Sequence, residues 1–359
     1  MLISIALATF NGERYLTEQL DSLAAQDHLP AELVICDDQS TDGTAALVAA
    51  FAQTAPFPVR FKVNAERLGY RRNFMKAAEL CSSALIAFSD QDDVWRADKL
   101  SQVVRRFADP AVLLVHHNAR LVDGDGKPFG RLRELDGTAD TIAGRMGASP
   151  WMFPQGLTIC FRRELLALSE LRERSIDFFD ERDPLAHDQW LYLMGLVFGS
   201  TCYINDTLLD YRQHGSNAYG VLRPDKTRLD RLREKFDKFV DYRRYAASSE
   251  RLASLLSEAK GEPTAIAATL FDQLADLYRR RGQVHAAQSV AARYRAWTQL
   301  RRSGGYAPRQ HWSFDPNEAM RDLVIGVAMA RLRRRTGRDP SRDRSLRVNP
   351  EARSANHGG

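Results

Sequence analysis

The sequence predicts an α/β protein with a mostly parallel sheet, followed by a helical C-terminal region. In the first ninety residues or so, short apolar runs alternate with segments whose apolar residues recur at helical spacing. That alternation is typical of parallel α/β sheets. Polar residues follow each apolar run, at the strand ends where such sheets bind ligands. Beyond about Arg223, helical spacing dominates and arginine becomes frequent.

The individual elements follow from these patterns. The predicted strands are residues 2–8, 32–38, 59–64, 84–90 and 112–122. Residues 157–165 are expected to form a strand that leads into a helix, and residues 201–217 a strand followed by a polar loop. The predicted helices of this half are residues 13–25, an alanine-rich helix that begins near Asp42 and runs to about Gln53, and residues 72–82 and 187–199; we also expect a helix near 94–107. The first predicted helix, for example, places Leu16, Leu20, Leu23 and Ala24 on one face.

Charge divides the chain into two regions. Residues 1–220 hold 22 Lys and Arg against 30 Asp and Glu, whereas the whole chain has a net charge of +5. The remaining residues are therefore strongly basic, and we expect the two regions to meet different partners. The four cysteines have no paired spacing, which argues against a disulfide framework or a zinc site.

Two observations bear on localisation. Residues 2–8 are apolar, but no basic segment precedes them, so they look like a strand rather than a secretory signal. No stretch of about 18 apolar residues is present, so no membrane span is expected. The sequence therefore favours a cytoplasmic protein.

An acidic cluster follows the fourth predicted strand. Asp90, Asp92 and Asp93 lie within four positions, and two carboxylates about 4 Å apart repel by about 4 kcal/mol at an effective dielectric constant of 20. Mg²⁺ or Mn²⁺ would offset this repulsion and bridge the carboxylates to a phosphate. Two alternatives remain open: Asp93 caps the next helix, or Asp90 is the nucleophile and Asp92 the acid/base of a haloacid-dehalogenase-like phosphatase.

Four segments decide between these interpretations by resemblance. The segments are ISIALATFNGERYLTEQLDSLAAQ, ELVICDDQSTDGT, ERLGYRRNF and DQDDVW, in that order. Together they resemble inverting glycosyltransferases of family 2 over roughly residues 2–220, and most of all the bacterial rhamnosyltransferase-type members. The resemblance implies a Rossmann-like domain of the glycosyltransferase A type over residues 1–222, which binds a nucleotide sugar. A non-catalytic scaffold of the same fold remains an alternative.

The implied reaction moves a sugar, rhamnose by the nearest resemblance, from a nucleoside-diphosphate donor to a saccharide or lipid-linked saccharide acceptor. Its expected setting is the assembly of cell-surface polysaccharide. The Gln-x-x-Arg-Trp motif of processive synthases is absent from the sequence. The sequence therefore favours an enzyme that makes single transfers.

The resemblance also assigns roles to residues of this chain. The residues expected to contact the nucleotide sugar are Thr9, Asn11, Glu13, Asp37, Asp38, Arg67, Asp90 and Arg212. The expected ligands of a divalent metal, Mg²⁺ or Mn²⁺, are Asp90, Asp92 and His214. Asp188 in AHDQWL is the expected catalytic base. A helix N-terminus lowers the pKa of a carboxylate, so apolar burial by Trp190 or Trp151 would have to oppose that effect.

The basic C-terminal region, residues 223–340, is predicted to be helical, and residues 341–359 look like a disordered tail. Residues 331–347 hold eight arginines and two aspartates. The helices either pack on the catalytic domain or a second copy, or attach peripherally to an anionic membrane at its cytoplasmic face. Nucleic-acid binding is not expected, because aromatic residues are sparse among the arginines.

Overall fold

A computed structural model describes residues 1–133, 140–215, 217, 242–306 and 318–328. The strands are β1 (Ile3–Thr9), β2 (Glu32–Asp37), β3 (Val59–Val63), β4 (Leu85–Ser89), β5 (Val94–Trp95), β6 (Val112–Val122), β7 (Pro128–Arg131), β8 (Thr141–Ala143), β9 (Ile159–Arg162) and β10 (Ser200–Arg212). The helices are α1 (Leu16–Ala24), α2 (Thr44–Ala52), α3 (Tyr70–Leu80), α4 (Lys99–Arg106), α5 (Ser169–Arg172), α6 (His187–Phe198), α7 (Tyr242–Glu258), α8 (Glu262–Ala286), α9 (Val290–Arg302) and α10 (Glu318–Arg321). Short 3₁₀ segments (Gly156–Thr158 and Arg163–Leu168) and a π-helix (Asp322–Ala328) complete the described part.

Within these residues, the strands form one mixed sheet in the order β3-β2-β1-β4-β9-β6-β10-β5. β1, β2, β3 and β4 pair in parallel, as do β6 and β10. β9 joins the two parallel parts as an antiparallel strand. The predicted α/β class with a mostly parallel sheet is confirmed.

The register of the parallel strands fixes where the site lies. Thr9 of β1 is paired with Asp37 of β2, and Leu7 is paired with Ser89 of β4. The carboxyl ends of these three strands therefore meet at one edge of the sheet. The residues that follow them, including Asp38 and Asp90, are brought to that same edge.

The central strands are continuous apolar runs because both faces of the sheet are covered by other parts of the protein. Ile3, Ile5 and Leu7 of β1 belong to a core with α1 and α4 on one face, whereas Ala6 belongs to the core on the opposite face. Burial of apolar surface on both faces is the main stabilising contribution to such a strand.

One predicted element begins later than expected. The helix expected near 94–107 starts at Lys99, and Val94–Trp95 instead form β5, which pairs antiparallel with β10. The Trp95 N–H donates to Ser22 Oγ at 3.0 Å, which holds this short strand against α1. A two-residue strand leaves no periodic pattern in a sequence.

The predicted helical C-terminal region is confirmed by α7, α8 and α9. The Trp151 ring lies 5.3 Å from the ring of Tyr245, 5.9 Å from Phe271 and 6.3 Å from Tyr278, so α7 and α8 pack on the loop that carries Trp151. The arginines of 331–347 and the predicted tail, 341–359, lie outside the described residues. None of the described helices combines the length and the apolar character needed to cross a membrane.

Candidate active site

Three carboxylates follow β4 at the carboxyl edge of the sheet. Asp90, Asp92 and Asp93 each offer an oxygen within 4.8 Å of the others. Asp93 is fully buried, and its Oδ1 accepts a hydrogen bond from the Arg212 N–H at 3.1 Å. Its Oδ2 is buried and has no hydrogen-bond partner among the described residues. Because α4 begins at Lys99, the interpretation of Asp93 as a helix cap is wrong.

The electrostatics of this cluster favour a bound cation. Burial, together with the charges of Asp92 and Asp188, raises the pKa of Asp90 to about 8. Burial, Asp92 and Asp90 also raise the pKa of Asp93 well above its ordinary value. The unpartnered Oδ2 of Asp93 lies beside the carboxylates of Asp90 and Asp92, and such a set of oxygen ligands suits a hard divalent cation. The residues present therefore fit Mg²⁺ or Mn²⁺.

A buried lysine lies beneath the cluster, and the sequence analysis missed it. Lys99 is fully buried; its Nζ donates to the Leu157 carbonyl at 3.0 Å and lies 3.4 Å from the centre of the Trp95 ring. Burial lowers the pKa of Lys99 to about 8, although Cys160, Asp93 and Asp90 oppose that shift. Lys99 lies four residues before the buried Val103. That spacing placed it on the buried face of α4 and was the available signal.

Two predicted residues of the β10 end approach the acidic cluster. His214 Nε2 lies 2.8 Å from Asp92 Oδ2, which agrees with the predicted sharing of a ligand site. Arg212 is 3% exposed, and its guanidinium donates to the carbonyls of Asp92 and Gly124 and pairs with Glu18. The donors of Arg212 are therefore engaged in holding the β10 end, the cluster and α1 together.

The predicted residues at the end of β1 are bound to the loop after β2. Thr9 Oγ1 donates to Asp37 Oδ1 at 3.0 Å. Asn11 Oδ1 accepts from the Thr41 N–H at 2.9 Å, and Glu13 Oε2 accepts from the Gly43 N–H at 2.9 Å. These side chains align the two loops side by side.

Asp38 fixes the loop that leads into α3. Its Oδ1 accepts from Asn64 Nδ2 at 3.0 Å and from the Leu68 N–H at 2.7 Å, and its Oδ2 accepts from the Gly69 N–H at 2.8 Å. Gly69 has a φ of 74°, which favours glycine. Asp38 therefore positions the segment that carries Arg67.

Arg67 is held over the same edge by an aromatic ring. Its guanidinium carbon lies 3.6 Å from the centre of the Phe10 ring, and its buried Nε has no hydrogen-bond partner among the described residues. Phe10 is itself fixed by Gln91, a residue that the sequence analysis did not single out. The Gln91 amide accepts from the Phe10 N–H at 2.8 Å and donates to the Phe10 carbonyl at 3.0 Å.

Asp188 lies in the first turn of α6, and its Oδ1 accepts from the Gln189 N–H at 2.8 Å. Burial raises its pKa to about 6, although backbone N–H groups and Arg71 act to lower it. Burial therefore opposes the effect of the helix terminus, whereas the part assigned to Trp190 or Trp151 stays a prediction. The Asp188 charge also raises the pKa of Asp90, so the base candidate acts electrostatically on the acidic cluster.

His187, the neighbour of Asp188, packs among buried aromatic rings. Its ring stacks on Phe74 with a centroid distance of 4.3 Å and contacts Phe88 edge-on at 5.0 Å. Burial lowers its pKa well below the ordinary value, so the ring is neutral. Neither of its ring nitrogens has a hydrogen-bond partner among the described residues.

The comparisons with known proteins agree with this architecture. Residues 4–167 match the model of the family "Glycosyl transferase family 2". An uncharacterised glycosyltransferase of Nostoc sp. is 27% identical over 225 residues, which cover 61% of this chain and 67% of the relative. The dTDP-rhamnosyl transferase RfbG of Shigella flexneri is 28% identical over 239 residues, which cover 63% of this chain and 78% of RfbG.

A solved structure shares the fold. The crystal structure of Staphylococcus aureus TarS 1–349 in complex with UDP superposes with a TM-score of 0.54 at 16% identity, covering 94% of this chain and 92% of that one. The family match ends before Asp188, Arg212 and His214, whose roles therefore stay predictions. The match favours glycosyl transfer over the phosphatase interpretation of Asp90. The chain thus carries a glycosyl transferase family 2 domain over residues 4–167 and is a glycosyltransferase.

Proposed function

We propose that the chain transfers a sugar from a nucleoside-diphosphate donor to a hydroxyl group of a saccharide or lipid-linked saccharide acceptor, with inversion at the anomeric carbon. The assembly of cell-surface polysaccharide is the proposed setting. The observation that carries the proposal is the arrangement at the carboxyl edge of the sheet. There, Asp90, Asp92 and Asp93 lie close together, a buried Asp93 oxygen has no hydrogen-bond partner among the described residues, and the charge of Asp188 raises the pKa of Asp90.

Asp90 and Asp92, with His214 beside Asp92, would hold a divalent metal. Such a metal neutralises the charge that develops on the departing diphosphate. The contact between His214 Nε2 and Asp92 Oδ2 supports a shared ligand role. The orphaned Asp93 oxygen supports placing a cation within reach of this cluster.

Asp188 is the proposed base that takes the proton from the acceptor hydroxyl. A general base is most useful when its pKa lies near the operating pH, and it must be ionised to act. A pKa of about 6 leaves Asp188 ionised at neutral pH while keeping it more basic than an exposed carboxylate. The deprotonated hydroxyl can then attack the anomeric carbon from the face opposite the leaving group.

The nucleotide is proposed to bind across the ends of β1 and β2. Thr9, Asn11, Glu13 and Asp37 would shape this pocket through the loop contacts that they make. Asp38 is proposed to hold the base or ribose. Arg67 is proposed to face the nucleotide, because its Nε has no partner among the described residues and its position is fixed by Phe10.

We propose dTDP-rhamnose as the first donor to test. The support is the similarity to a relative named as a dTDP-rhamnosyl transferase. UDP sugars are the competing donors. Arg212 is proposed to act near the diphosphate by fixing the Asp92 backbone, since its guanidinium is engaged within the protein.

A thermal-shift panel tests the donor and the metal together. The full chain is mixed with dTDP, UDP or GDP, each with and without Mn²⁺, and we expect stabilisation by one nucleotide only when the metal is present. Asp92→Asn should remove this shift. Asp98→Asn is the matched control, because Asp98 pairs with Arg96 away from the cluster. A metal-dependent shift that survives in Asp92→Asn would refute the site.

Attachment to the cytoplasmic face of an anionic membrane is a separate proposal, and it rests on the arginines of 331–347 in the sequence alone. Each basic residue near such a surface contributes about 1 kcal/mol. We expect the full chain to cosediment with phosphatidylglycerol vesicles at low salt and a chain ending at Gly305 to remain in the supernatant. Equal binding of both chains, insensitive to salt, would overturn the proposal.

A further inference from the structure

We propose that the ion pair of Arg71 and Asp177 positions the base Asp188 and sets the pH range in which it acts. This inference rests on the proposed role of Asp188. The pair lies outside the acidic cluster, and neither residue belongs to the site that the sequence predicts. It joins α3 to the segment that leads into α6.

The contacts of Arg71 fix this segment at two points. Arg71 Nη2 lies 2.7 Å from Asp177 Oδ2, and Arg71 Nη1 donates to the Pro184 carbonyl at 2.5 Å. The Asp177 side chain is completely buried. Breaking a buried pair by removing one partner leaves an uncompensated charge, so the two residues constrain each other strongly.

Asp177 connects the pair to the first turn of α6. Its Oδ1 accepts from the Phe179 N–H at 2.8 Å and from Gln189 Nε2 at 3.4 Å. The Gln189 side-chain oxygen accepts from the Ala186 N–H at 2.6 Å, and the Gln189 N–H donates to Asp188. The side chain that receives the proton is therefore held by a chain of contacts that begins at Arg71.

Helix α7 supports the same segment from the other side. Ser248 Oγ donates to the Ile176 carbonyl at 2.7 Å, and Arg244 donates to the Phe179 carbonyl at 2.9 Å. These contacts flank Asp177 in the chain. The C-terminal helices thus help to fix the approach to the base.

The charges of the pair act on Asp188 in opposite directions. Arg71, from α3, lowers the pKa of Asp188, whereas Asp177 raises it. The charge of Asp188 in turn raises the pKa of Asp90, after β4. Loss of Arg71 should therefore shift the titration of the base upward, and loss of the Asp177 charge should shift it downward.

The test compares Arg71→Met with Asp177→Asn, with Arg72→Met as the matched control. Arg72 is the next residue of α3 and forms an exposed pair with Glu173. The rate of nucleoside diphosphate release from dTDP-rhamnose, or from UDP-glucose if UDP is the nucleotide that binds, is measured against pH. We expect the acid limb to move upward by about 0.5–1 pH unit in Arg71→Met and downward in Asp177→Asn. It should stay in place in Arg72→Met.

If the pair has a purely structural role, Arg71→Met and Asp177→Asn should both lower the rate, but the acid limbs of their pH profiles should not move in opposite directions. That result would overturn the proposal, and so would an acid limb that stays in place in both variants. Nucleotide-induced thermal stabilisation should be unchanged in both variants. If Arg71→Met does not fold, the sign of the Asp177→Asn shift decides. Asp188→Asn separates the two claims. If it keeps full activity, the proposed base is wrong. If it is inactive while the pair variants match the control, only the positioning proposal fails.

Discussion

At the scale of single residues, Asp188 combines two opposing influences. The N–H groups of the α6 terminus stabilise its charge, but burial dominates and raises its pKa to about 6. We expect Asp188→Asn to lower the transfer rate by about 10²–10⁴-fold while nucleotide binding persists. In the unmodified chain, activity should fall as the pH drops through about 6, because the base becomes protonated.

Rate measurements across pH, with calorimetry of nucleotide binding, check this prediction. Asp206→Asn is a suitable control, because Asp206 is an exposed carboxylate within β10. Wild-type turnover in Asp188→Asn would assign the proton transfer to another group.

At neutral pH, Lys99 acts on the acidic cluster as a buried cation, and its charge lowers the pKa of Asp90. A positive charge beneath the carboxylates reduces their mutual repulsion and also repels a divalent cation. Lys99→Met keeps the side-chain length and the packing on Trp95 but removes the charge. We expect the Mn²⁺ concentration for half-maximal thermal stabilisation to fall by about tenfold, the equivalent of about 1.4 kcal/mol.

The titration is carried out near pH 7, where Lys99, with a pKa of about 8, is mostly protonated and carries the charge that Lys99→Met removes. The exposed Lys62, changed to Met, controls for the loss of one charge elsewhere. A weaker response to Mn²⁺ in Lys99→Met would mean that Lys99 is needed to assemble the cluster rather than to balance it.

At the scale of elements, the site depends on contacts between the residues that follow β1 and β4, past the last backbone pairing of the two strands. Gln91 makes this junction through two hydrogen bonds to the Phe10 backbone. Gln91→Leu leaves the Phe10 N–H and carbonyl without these partners. We expect the free energy of unfolding to fall by about 1–3 kcal/mol.

Urea denaturation checks this value against Gln53→Leu, a change at an exposed position after α2. Because Phe10 supports Arg67, nucleotide binding should also weaken in Gln91→Leu. Unchanged stability together with unchanged binding would show that the ladder alone aligns the two strand ends.

The elements show what local sequence patterns can predict. β1, β2 and β4 were predictable because each is apolar on both faces, and the parallel class then put Thr9, Asp37 and Asp90 at one edge. β5 was not predictable, because a strand of two residues is too short to show an alternation of apolar and polar side chains. The Arg71–Asp177 pair was also beyond reach, since its partners are 106 positions apart and meet only after α3 and α6 have packed.

At the scale of the whole molecule, the C-terminal helices share a core with the catalytic half. One buried cluster runs from Phe88 of β4 through Trp190 of α6 to Phe271 of α8. The rings of Trp151 and the buried Phe178 lie 5.3 Å and 5.0 Å, respectively, from the Tyr245 ring of α7. The predicted boundary at residue 222 therefore falls between regions that bury apolar surface against each other.

This shared core predicts how truncated chains behave. A chain ending at residue 222 would expose the aromatic surface around Trp151 and Phe178 that α7 and α8 cover. Large exposed apolar patches favour association, so we expect this chain to aggregate or to melt without cooperativity. A chain ending at residue 328 keeps the described helices and should melt in one transition. Light scattering and calorimetry of the two chains provide the measurement. A monomeric 1–222 chain that melts cooperatively and still binds nucleotide would show that the catalytic half folds on its own.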